Sequence, residues 1–88
     1  MKAWYCIPSA RPVAEVIPIV AAWKERGYGV ALQRDLPGGR IPGADVVFVR
    51  QYLGYAESVN FLSSYVLAEL PEVDWIVTGG DDTFPDPN

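Results

Sequence analysis

The chain has 88 residues, half of them apolar, with three Trp, five Tyr and three Phe. That is enough for one small domain with one core, since a chain of this size buries roughly 60–65% of its unfolded surface, and the aromatic content is that of a folded chain. There is no His and one Cys, Cys6, and eleven acidic against seven scattered basic residues give a net charge of −4. An internal disulfide, a Cys–His metal site and histidine acid–base catalysis are thereby excluded, and nucleic-acid binding is not expected without a positive face. No apolar run has the length of a membrane span. The N-terminal stretch interrupted by Pro8 is too short for the apolar core of a secretion signal, so a cytoplasmic location is expected.

In chain order, residues 3–7 (AWYCI) form an apolar run without polar alternation, as expected of a strand covered on both faces. Ser9 to Gly27 reads as a loop and a helix: Val13, Val16, Ile17, Val20 and Trp23 recur at helical spacing, and Gly27 suits the C′ position. Pro18 leaves two starts open, one near Val16 and one near Pro12 with a kink. Tyr28 to Arg34 is a second strand, with Asp35 just past its end. Leu36 to Gly43 carries five Gly or Pro in eight residues and is expected to be a loop. Asp45 to Val49 is a third strand. Tyr55 to Leu70 is a helix with Ala56, Val59, Leu62, Ser63, Val66, Leu67 and Leu70 along its apolar face, ended by Pro71. Trp75 to Thr78 is a fourth strand. The order β-α-β-β-α-β predicts an α/β fold: a single small three-layer Rossmann-like domain over residues 1–88, with a mostly parallel four-stranded sheet, two main helices and right-handed crossovers.

Ligands of open parallel sheets bind beyond the carboxyl ends of the strands, and the polar residues gather there. Pro8-Ser9-Ala10-Arg11 follow the first strand, Asp35 the second, Arg50-Gln51-Tyr52 the third, and Gly79-Gly80-Asp81-Asp82 the fourth. Two adjacent carboxylates at a strand end suit Mg²⁺ or Mn²⁺, which take a few carboxylate oxygens and complete an octahedron with water or phosphate. Gly79 and Gly80, lacking Cβ, allow a ligand close to the backbone. Tyr52 and Tyr55 are candidates for stacking on a base, and Arg11 and Arg50 for meeting a diphosphate.

The final segment, WIVTGGDDTFPDPN, resembles the metal-binding strand end of nucleotide-sugar glycosyltransferases of the GT-A fold (family-2-like), in which an apolar strand runs into an Asp-x-Asp motif followed by Pro-Asp-Pro. Residues 5–8 (YCIP) resemble that family's first strand, Asp35 stands where the family binds the nucleotide base, and residues 54–60 (GYAESVN) resemble the start of the helix before the metal motif. The resemblance covers most of the chain, and it is the order of the motifs that carries it. It implies a domain binding a nucleoside diphosphate-sugar through Mg²⁺ or Mn²⁺, with Asp82 and Asp81 as metal residues and Pro8, Ser9, Arg11, Asp35, Asn60 and Asp81 at the nucleotide. Aligned on Pro85-Asp86-Pro87, the family's first motif Asp falls on Gly80 and its last on Asp82. The family continues past this motif into an acceptor-binding half, so the residues present are expected to be the donor-binding half alone and to bind better than they catalyse.

Other readings stand beside this one. Asp81 and Asp82 also fit a solvated acidic loop or, with Asp86, a Ca²⁺ site; Asp35 fits a turn former; and Asn60, beside the expected buried face of its helix, fits a structural amide. The whole chain also fits a non-catalytic α/β binding or assembly module, as a homo-oligomer covering a sheet edge. A flavodoxin-like phosphoacceptor using Asp35 or Asp81 is disfavoured, because no lysine follows on a later strand.

Overall fold

The computed structural model describes residues 3–35, 41–70 and 72–80. Asp81, Asp82 and Asp86 lie outside the described residues. Six elements follow in order: β1 (Ala3–Pro8), α1 (Val13–Glu25), β2 (Gly29–Arg34), β3 (Val46–Val49), α2 (Tyr55–Glu69) and β4 (Trp75–Val77). The four strands form one sheet in the order β3-β2-β1-β4. Every pairing is parallel, with Cys6 opposite Ala31, Trp4 opposite Ile76 and Leu32 opposite Val47. The fold is therefore the expected α/β one, a small Rossmann-like layer structure.

Side-chain alternation along the strands distributes the core over two faces. Tyr5 and Ile7 of β1 and Val30 and Leu32 of β2 pack with Val16, Ile19, Val20 and Trp23 of α1, and Ile41 completes this cluster. The intervening residues Trp4, Cys6 and Ala31 pack on the other face with Leu62 and Val66 of α2. Tyr5 stacks on Trp23 at 4.1 Å between ring centroids, and Trp23 meets Tyr28 edge-on at 4.8 Å.

Cover on both faces, expected of residues 3–7, holds for β1 and extends to β2, whereas β3 is covered on one face. Val46 and Phe48 pack toward α2, whereas Val47 and Val49 alternate to the other face and stay exposed. The expected helix faces also shift. In α1 the buried residues are Val16, Ile19, Val20 and Trp23, and Ile17 is exposed. In α2 they are Ser58, Leu62 and Val66, one residue per turn at i, i+4 spacing, while Ala56 and Leu67 face outward. A polar Ser58 can take an inward position because it has a buried partner on the sheet, described below.

The helix starts at Val13 behind Pro12, with Pro18 inside it. Pro18 has no N–H to offer the carbonyl of Ala14. Both residues are exposed, so that carbonyl can turn to water. The C-terminus closes in a Schellman motif. Gly27 N–H donates to Lys24 O at 2.9 Å and Tyr28 N–H to Trp23 O at 3.1 Å, and Gly27 holds φ +86°, a conformation that a side chain disfavours. The Trp23–Tyr28 ring contact is the apolar clasp that accompanies this motif. Asp45 then ties the next strand in place. Its carboxylate accepts from Val30 N–H at 2.8 Å and from Lys24 Nζ at 2.8 and 2.9 Å, joining β2, α1 and the start of β3.

Candidate functional site

The chain runs from β1 through β2 to β3 on one side and then crosses to place β4 on the other side of β1. The strand order thus reverses at β1, the kind of position where parallel sheets open a crevice. A cleft of about 300 Å³ lies there, lined by Pro8, Ser9, Ala10, Gln33, Asp35, Tyr52, Tyr55, Gly79 and Gly80. This is the lower end of the range of small-molecule sites, roughly 300–1,000 Å³.

Each wall has a structural cause. Ser9 extends the β1–β2 pairing, its N–H donating to Gln33 O at 2.9 Å, and its hydroxyl oxygen accepts from Arg11 N–H at 3.3 Å. The stretch after β4 is held by two tyrosines. Tyr5, buried against α1, donates its hydroxyl to Gly80 O at 2.7 Å, and Tyr55 at the start of α2 donates to Gly79 O at 3.1 Å. The backbone leading to Asp81 is therefore anchored beside the ends of β1 and α2.

Of the residues singled out from the sequence, Pro8, Ser9 and Asp35 line the cleft, and Tyr52 and Tyr55 join them. Asp35 is exposed to solvent. Arg11 borders the cleft through Ala10 but does not line it, and its guanidinium pairs with Glu15 at 3.5 Å. Arg50 is held in a different way. It makes two hydrogen bonds to Glu57 at 2.9 and 3.0 Å and lies 4.0 Å over the ring of Phe61, so its charge is already matched. Asn60 is exposed and lines a separate shallow depression with Glu57, Phe61, Ser64 and Tyr65. The sequence placed it beside the buried helix face, and the rotation of that face toward Ser58 is what turns it out. Asp81 and Asp82 lie outside the described residues. Among the described residues no three carboxylate, Cys or His groups gather at metal-binding distance.

One cleft residue has no signal in the sequence. Gln33 is 1% exposed, and its side chain joins a polar chain beneath the cleft: Nε2 donates to Ser58 Oγ at 2.9 Å and Oε1 accepts from Arg50 Nη1 at 3.0 Å. The neighbouring Arg34 is buried on the α1 side and donates from Nη1 to Ser9 O at 3.3 Å. Cys6 lies in the core, where burial pushes its thiol up to about 12 from 9.0. A thiol held neutral in this way is no nucleophile.

Comparisons with protein-family profiles, with curated proteins and with solved structures find no match to this chain.

Proposed function

We propose that the chain is a glycosyltransferase-like domain that binds a nucleoside diphosphate-sugar at the β1/β4 crevice, with Mg²⁺ or Mn²⁺ held by Asp81 and Asp82. The observation that carries this reading is the convergence of Pro8 and Ser9, Asp35, and Gly79-Gly80 on one cleft at the reversal of strand order. The Asp81-Asp82 pair follows directly on its anchored wall. In this assignment Asp35 accepts hydrogen bonds from the base, Tyr52 and Tyr55 flank it, and the glycine backbone admits the diphosphate. The cation supplies charge neutralisation for the diphosphate as it leaves, chemistry that needs no histidine.

Calorimetric titration of uridine, guanosine, adenosine and cytidine diphosphates, each with and without Mn²⁺, tests the reading. The expected result is Mn²⁺-dependent binding of at least one nucleotide, lost in Asp82→Ala and weakened in Asp35→Ala. Binding that ignores both Mn²⁺ and Asp82→Ala contradicts it. A second reading, a non-catalytic assembly module, is favoured by β4, an edge strand among the described residues on which Trp75 is 58% exposed. An exposed edge is a surface on which another chain can pair. A dimer by light scattering that Trp75→Lys dissolves, with no nucleotide bound, would favour it.

A further inference from the structure

The polar chain under the cleft fixes the orientation of the side-chain amide of one lining residue. A guanidinium can only donate, so the Gln33 amide atom 3.0 Å from Arg50 Nη1 is its oxygen, and the nitrogen is the atom at Ser58 Oγ. Arg50 cannot swing away to release this choice, because Glu57 holds it through both carboxylate oxygens and Phe61 lies against it. The amide nitrogen carries two hydrogens, and Ser58 takes one. Among the described residues Ser58 is the one acceptor for this nitrogen, and Gln33, almost fully buried, lines the cleft. Asp35, two residues on, lines the same cleft and can only accept when ionised.

We propose that Gln33 reads the base: its spare N–H donates to a carbonyl of the heterocycle while Asp35 accepts from the ring N–H beside that carbonyl. This pairing of a fixed donor with a fixed acceptor matches the carbonyl and adjacent N–H of uracil and guanine. The inference rests on the nucleotide-binding reading above and names the residue that would set its base preference. A buried donor satisfied only by ligand also makes an analogue without that acceptor costly to bind.

The test is titration of uridine diphosphate, guanosine diphosphate and inorganic pyrophosphate, all with Mn²⁺, into the wild-type chain, Gln33→Glu and Gln33→Met. Gln33→Glu keeps the shape and the partner for Arg50 but replaces the spare donor by an acceptor. Its affinity for the preferred diphosphate is expected to fall at least tenfold, with pyrophosphate binding unchanged. Gln33→Met removes the amide donor without adding a charge and is expected to lower nucleotide affinity severalfold, again without effect on pyrophosphate. Should Gln33→Glu fail to fold by circular dichroism, Gln33→Met decides alone. Equal loss of nucleotide and pyrophosphate, or no loss of either, overturns the inference. So does a wild-type chain that binds pyrophosphate as tightly as both nucleotides, a result that leaves the metal–diphosphate reading standing. Binding of none of the three removes both.

Discussion

Gly29 sits opposite Trp4 in the β1–β2 register, and the indole lies across it, so that a Cβ at this position would run into the ring. Gly29→Ala must displace a core aromatic and is expected to cost about 1–3 kcal/mol, the range for overpacking, measurable as a lower urea midpoint at unchanged slope. Cys6, on the same face, predicts a pH effect. Its folded pKa of about 12 lies above the ordinary 9.0, so the folded state keeps a proton that the unfolded chain releases. The contribution is fully present below pH 9.0 and is lost as pH rises toward about 12. Because other groups titrate there as well, the measurement is a comparison: stability between pH 9 and 11 is expected to fall more steeply in the wild type than in Cys6→Ala. Equal slopes would contradict the assigned burial. Neither residue announces its role in sequence. A glycine in a strand and a cysteine in an apolar run acquire meaning only once register brings Trp4 and the core around them.

At the scale of elements, α1 carries the main unresolved choice of the sequence, and the structure places Pro18 inside the helix. Pro18 therefore forfeits one helical hydrogen bond on an exposed face, where no packing requires the ring. Pro18→Ala is expected to stabilise the chain by about 1–2 kcal/mol, since the helix propensity gained, up to ~3 kcal/mol, outweighs the added entropy of the unfolded chain, about 0.4–1 kcal/mol. A thermal midpoint that falls would mean that the proline shapes the packing of α1. The elements themselves were readable because their causes are local: β1 is a continuous apolar run, β2 opens on one at Val30 to Leu32, Gly27 closes α1, and Gly54 precedes α2. The faces of α2 were not. Counting apolar residues puts Leu67 inward, whereas Ser58 takes the buried position through a hydrogen bond to Gln33, 25 residues earlier in the chain. No periodicity encodes such a partner. For the same reason the sequence does not show that the layout of the two helices leaves Val47 and Val49 of β3 exposed.

For the whole molecule, the sequence locates the candidate site because topology does so: in a parallel sheet whose order reverses at β1, the segments after β1, β2 and β4 must meet at one edge. Pro8, Ser9, Asp35, Gly79 and Gly80 do meet there. Asn60 does not, since its place depended on the rotation of a helix. Gln33 belongs to the cleft through a network of Ser58, Arg50 and Glu57 that only the folded chain assembles. The central claim is that this edge holds a cation and a nucleoside diphosphate together. Paramagnetic line broadening by Mn²⁺, recorded on the amide signals with and without uridine or guanosine diphosphate, tests it most directly. The account predicts nucleotide-enhanced broadening centred on Ser9, Asp35, Gly79 and Gly80; broadening centred instead on Glu69, Glu72 and Asp74, or unaffected by nucleotide, would contradict it.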